Sequence, residues 1–137
     1  MRRSGLTVVV LMFCLGLWAV GCGDDDGDTG TAPAISNLTY DASGLTLNEQ
    51  GVVLGSFSFT DPDGDADLME IDVTMPGGQP ALVPDTVLTG VEGVTAGTVN
   101  WNLTLSPSQA GTYDFAIRVV DVGGHVSNEL QGSFDAQ

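Results

Sequence analysis

From position 33 onward the chain runs in short alternations of apolar and polar residues, broken by Gly, Pro, Asn and Asp. No stretch keeps the three-to-four spacing of an amphipathic helix, so the pattern predicts strands. Leu68 to Met75 alternates most cleanly, with Met69, Ile71, Val73 and Met75 on one side and Glu70, Asp72 and Thr74 on the other. Successive side chains of a strand face opposite ways, so the first row is core and the second meets water. Gly51 to Thr60 repeats the arrangement with Val53, Phe57 and Phe59 inward and Ser56, Ser58 and Thr60 outward. Thr98 to Leu105 turns Val99, Trp101, Leu103 and Leu105 inward, and Thr112 to Asp121 turns Tyr113, Phe115, Ile117 and Val119. Ile35 to Asp41 is a first strand with Leu38 and Tyr40 on one face. His125 to Phe134 is a last one, with Val126, Leu130 and Phe134 inward.

Between Gln79 and Gly97 the alternation fades, leaving a weak strand near Thr86 to Thr89 among loops. The whole is an all-β pattern. About seven strands, with turn signals every ~8–12 residues over ~100 residues, predict an immunoglobulin-like antiparallel β-sandwich. Two sheets packed face to face cover each inward row. No internal repeat divides it, so residues 33–137 are expected to form one domain, of a size that buries roughly two-thirds of its unfolded surface.

The beginning of the chain follows another logic. Met1-Arg2-Arg3 is cationic, Leu6 to Trp18 is almost wholly apolar, and Ala19-Val20-Gly21 places small residues before Cys22. That is the order of a secretory signal. The apolar run is shorter than the ~20 residues of a permanent span. Small residues followed directly by cysteine resemble the lipobox of bacterial lipoproteins, with Ala19 where leucine is commonest. The resemblance implies a signal peptide over 1–21, cleaved so that a lipidated Cys22 becomes the N-terminus and holds the protein to a bilayer. Residues 22–32 would then be an acidic Gly/Asp tether without apolar residues to bury. Cys14 would leave with the signal, so the domain has to stand without a disulfide. Acidic residues soon after the cysteine, and glycine rather than aspartate beside it, resemble lipoproteins sent to the outer membrane. The expected location is therefore the bacterial cell envelope, lipid-anchored, on the outer membrane.

Charge narrows the functions further. The chain carries 18 acidic residues against three arginines and no lysine. Loss of Arg2 and Arg3 with the signal would take the net charge from −15 to −17. Such a surface cannot displace counterions from nucleic acid, so that class of partner is excluded. It attracts cations instead.

Two motifs carry a family resemblance. Ala110-Gly111-Thr112-Tyr113 looks like the tyrosine corner of Ig-like sandwiches, which implies that Tyr113 buries its ring and bonds its hydroxyl to backbone just upstream. Val119-Val120-Asp121-Val122-Gly123-Gly124-His125-Val126-Ser127 is similar to the last hairpin of bacterial Ig-like, cadherin-like and PKD-like modules, with His125 where asparagine is usual. In cadherin-like modules an acidic turn lies near an aspartate of that hairpin. Here the acidic turn is Asp61-Pro62-Asp63-Gly64-Asp65-Ala66-Asp67, and the resemblance would join Asp61, Asp63 and Asp65 to Asp121 around calcium. Calcium takes six to eight oxygen ligands. Glycine at the fourth position departs from the EF-hand spacing, and Asp-Pro-Asp-Gly is also a strong turn signal without any metal.

Little points to catalysis. His125 is the sole histidine and is expected exposed in a turn, and no nucleophile-elbow motif accompanies it. Arg118 is expected to face outward beside Glu70 or Asp72. The expected function is a non-catalytic binding or adhesion module for an envelope protein or glycan. The alternative is a structural spacer or accessory subunit with no ligand of its own.

Overall fold

The structure is a computed structural model, and it describes residues 30–137. The signal segment 1–21, the lipidation site Cys22 and nearly all of the tether lie outside the described residues. Eight strands follow in order: β1 (Ala34–Asp41), β2 (Gly51–Thr60), β3 (Ala66–Thr74), β4 (Pro80–Ala81), β5 (Thr86–Val87), β6 (Ala96–Leu105), β7 (Gly111–Asp121) and β8 (Leu130–Ala136). One sheet has the order β1-β2-β6 and the other β4-β3-β7-β8, with β5 also on β3. All pairings are antiparallel. This is the Ig-like sandwich that the alternation predicts. Among the described residues no helix is long and apolar enough to cross a membrane.

The inward rows meet between the sheets. Val53, Phe57 and Phe59 of β2 and Val99, Trp101 and Leu103 of β6 are buried against Met69, Ile71 and Val73 of β3 and Tyr113, Phe115, Ile117 and Val119 of β7. Rings tie the layers, with Phe115 lying 5.0 Å from Tyr40, 5.7 Å from Trp101 and 6.0 Å from Phe134. Aromatic pairs at such separations add about 0.5–1.5 kcal/mol each beyond their buried area. Trp101 fits because its cross-strand neighbour is Gly55, where a Cβ would come within 2.4 Å of the indole. The tyrosine corner forms as expected: the Tyr113 hydroxyl donates to the Gln109 carbonyl at 3.0 Å, and its ring stacks on Phe134.

Two local readings are corrected, while β1 keeps Leu38 and Tyr40 on one face as expected and adds a bulge before them. In β1 the register shifts between Ser36 and Thr39, with Asn37 at φ 54°. The extra residue lets Ile35 point inward before it and Tyr40 after it, although their parities differ. Val126 is 48 % exposed rather than part of the inward row, because it makes only an isolated bridge to Val120 and the last ladder begins at Leu130. That ladder instead runs on to a buried Ala136. The other correction concerns His125 and is described with the site.

On the outer face of the β3-β7 sheet, Arg118 stands opposite Glu70 in register and bonds to Glu70 at 3.3 Å, to Glu129 at 3.0 Å and to Asp72. Burial alone would lower the guanidinium's pKa, but the Asp72 and Glu70 carboxylates outweigh it and raise it.

Candidate cation site

The site stands at one end of the sandwich, and antiparallel pairing puts it there. Ala34 is in register with Thr60, and Ala66 with Asp121. The start of β1, the β2–β3 turn and the end of β7 therefore come together. The turn itself follows from its residues. Pro62 presets one dihedral angle, and Gly64 takes φ 70°, where a side chain would be strained and would meet the Gly93 backbone at 3.1 Å.

Asp61 is the hub of the turn and has no exposed surface. One carboxylate oxygen accepts the Asp63 N–H at 3.3 Å and the other the Asp65 N–H at 2.8 Å. Its own N–H donates to the Thr95 carbonyl, and its carbonyl accepts from Gly64. Asp61, Asp63 and Asp65 each offer an oxygen within 4.8 Å of the others. Asp63 also accepts the backbone N–H of Thr31, where the described chain begins.

Asp65 is the member with an incomplete environment. Its Oδ1 is buried without a hydrogen-bond partner. Desolvation, followed by the negative charges of Asp121, Asp61 and Asp63, raises its pKa above the ordinary carboxylate value. Removing a carboxylate from water without a donor, beside like charges, disfavours its ionised form. Stability linked to Asp65 is therefore fully present below its unfolded-state pKa and is lost as pH rises through its raised folded value.

The fourth predicted ligand is near but otherwise engaged. Asp121 is 3 % exposed. One of its oxygens accepts the His125 N–H at 2.8 Å, and the other meets His125 Nδ1 at 2.8 Å. Desolvation pushes its pKa up, but the backbone and ring hydrogen bonds and the charge of His125 prevail and lower it. Asp121 thus contributes stability above its unfolded-state pKa that is lost as pH falls through its lowered folded value. His125, expected exposed, is half-buried because its ring closes over Asp121. The nearby hydroxyl of Ser127 is buried and committed to backbone, donating to the Asn128 carbonyl and accepting the Val119 N–H.

Asp65→Asn tests these electrostatics. The neutral amide removes the charge that Asp61, Asp63 and Asp121 oppose, so it should raise the melting temperature at neutral pH. That gain should disappear in acid, where Asp65 is already protonated. A lower melting temperature at neutral pH would contradict the assignment.

Asp61, Asp63 and Asp65 were legible in the sequence. The His125 engagement of Asp121 was not, and its only trace is the spacing of four residues across a glycine turn. The oxygens present suit a hard cation: carboxylates alone, one of them buried and lacking a donor.

No protein-family model matches the chain, and no curated protein does. Solved structures of similar fold include the PKD domain of an M14-like peptidase from a Thermoplasmatales archaeon, with 17 % identity and a TM-score of 0.48, covering 79 % of this chain and 98 % of that one. A CARDB domain from Pyrococcus furiosus, in complex with di-metal ions, has 10 % identity and a TM-score of 0.46, covering 81 % and 97 %. A Niemann-Pick type C2 protein from the Japanese carpenter ant has 11 % identity and a TM-score of 0.45, covering 79 % and 95 %. These likenesses pass no ligand or activity to this chain.

Proposed function

We propose that the chain is a bacterial envelope lipoprotein, anchored through acylated Cys22 on the outer membrane, that displays a non-catalytic, calcium-stabilised Ig-like module for binding or adhesion. The observation that carries the cation is the convergence of Asp61, Asp63 and Asp65 around a buried carboxylate oxygen that has no donor. A divalent ion would offset the mutual repulsion that raises the Asp65 pKa. Its affinity would fall in the ~10⁻⁴–10⁻³ M range of extracellular modules. Asp61, Asp63 and Asp65 would hold the ion, and Asp121 would add its charge while His125 keeps its carboxylate in place. The anchor rests on the small residues before Cys22 and on the acidic tether that follows. More than one acyl chain is needed for stable attachment.

The melting temperature in calcium, compared with magnesium and with sodium chloride of matched ionic strength, tests the cation. Calcium at about ten times its dissociation constant should add roughly 1.4 kcal/mol of stability. An equal shift in magnesium or sodium would leave only general screening of an acidic protein. Mass spectrometry of the native protein tests the anchor, and an unacylated chain that still starts at Met1 would refute it.

A second reading, the structural spacer, is favoured by one specific observation. The acidic cluster lies at the end where the chain enters from the tether, with the Thr31 N–H on Asp63. A cation there would fasten the root of the tether to the sandwich and stand the domain off the membrane. Retention of envelope proteins or glycans by the full chain, with and without calcium, separates the readings, since a pure spacer retains nothing.

A further inference from the structure

Three of the sandwich's four edges are closed by recognisable devices, and one is not. The β1 edge is bulged, and the Asn128 side chain occupies both the N–H and the carbonyl of Ile35 at 2.8 Å. The β8 edge is covered by Tyr40, whose hydroxyl accepts the Ser133 N–H and donates to the Ser133 carbonyl. The Leu45–Leu47 backbone continues that cover at Gln137, and β8 also carries Asp135. The edge formed by β4 and β5 consists of two-residue strands, one containing Pro80. Short strands, charge, proline, bulges and covering segments are the means by which proteins keep sheet edges from pairing.

β6 has none of them. It is ten residues long, without charge or proline, and its register with β2 is unbroken from Ala96 to Leu105. Among the described residues no backbone group pairs with its outer edge. In constant-type Ig sandwiches the equivalent sheet has a fourth strand at this position. Here the strand-forming pieces between β3 and β6 turn to β3 instead. A groove of about 500 Å³ remains between residues 86–91 and 98–102.

We propose that this edge pairs with the β6 edge of a second copy, antiparallel about a two-fold axis near Asn100, joining two three-stranded sheets into one of six. The charge distribution selects this occupant. The outward residues of β2 and β6 are Val52, Leu54, Ser56, Ser58 and Thr60 with Thr98, Asn100, Asn102 and Thr104, none of them charged. The other long faces present Glu70, Asp72, Asp114, Glu129 and Asp135. Two strongly anionic chains can meet closely along β6 without placing carboxylates opposite one another. Antiparallel pairing is also self-complementary, as a closed two-fold dimer requires.

Sedimentation velocity of the full chain in density-matched detergent tests this. A monomer–dimer equilibrium is expected that tightens as salt screens the overall repulsion. Asn100→Asp, at an exposed position, sets like charges opposite and should weaken the dimer about tenfold or more. Mixing Asn100→Asp with Asn100→Lys should restore it. Leu54→Asp, on the face but a strand away from the edge, should leave it intact. A chain that stays monomeric at every concentration and salt overturns the proposal, as does a dimer indifferent to Asn100→Asp. A dimer dissolved by Leu54→Asp would mean face-to-face stacking and would also overturn it.

Discussion

Phe57→Ala should cost about 3–5 kcal/mol, the usual price of emptying an aromatic site in a close-packed core. Phe57 is 1 % exposed and sits on the central strand of the three-stranded sheet, facing the other layer. The described sandwich holds no disulfide that could limit the consequence. For a domain of this size each kcal/mol moves the melting temperature by roughly 4–8 °C. The variant should therefore melt on the order of 20 °C lower or fail to fold at ordinary temperature. Leu82→Ala is the matched control, because Leu82 is fully exposed and its truncation should lie within about 0.5 kcal/mol of zero. Chemical denaturation of both variants would check the pair. A Phe57→Ala loss of less than about 1 kcal/mol would mean that the two sheets do not pack as described.

Asp61→Ala should be nearly as damaging, and its damage falls on the site. The Asp63 and Asp65 N–H groups both lose an ionised acceptor. Hydrogen bonds to charged groups contribute about 1.5–3 kcal/mol each. The expected loss is about 2–4 kcal/mol, since the turn can partly relax toward water. Asp61→Asn keeps one acceptor oxygen and should lose less. Any increment that calcium gives the parent chain should vanish in Asp61→Ala, because the turn that converges Asp63 and Asp65 would be gone. Asp63→Asn separates the two effects. Asp63 is exposed, so its change should spare calcium-free stability while weakening calcium affinity. If Asp61→Ala unfolds no more readily than the parent, the turn is not organised around its carboxylate.

Much of the sandwich could be read from alternation because alternation is a local property of strands. Met69, Ile71 and Val73 face inward whatever strand lies beside them, and so do Tyr113, Phe115, Ile117 and Val119. The departures have physical causes that reach beyond one strand. Asn37 adopts a left-handed conformation and flips the parity of β1, which lets Tyr40 reach both Phe115 and Ser133. Asparagine tolerates that conformation better than most residues, so its identity was compatible with a bulge without specifying one. Val126 has the parity of Phe134, yet Ser127 takes the buried place because its backbone and hydroxyl bond to Val119. The pairing of Arg118 with Glu70 and Asp72 could be foreseen once β3 and β7 were taken as neighbours. Its third partner, Glu129, comes from a segment that lies outside any strand.

By itself the sequence determined the strand periodicity, the excess of carboxylates and the acidic turn. Each of those is written in residue type and short-range spacing. Only the tertiary structure decided that Asp121 is brought beside the acidic turn, that Asp65 is left without a donor and that β6 keeps a bare edge. Those outcomes depend on ladder registers between segments distant in the chain, and no local pattern encodes a register until both strands are in place.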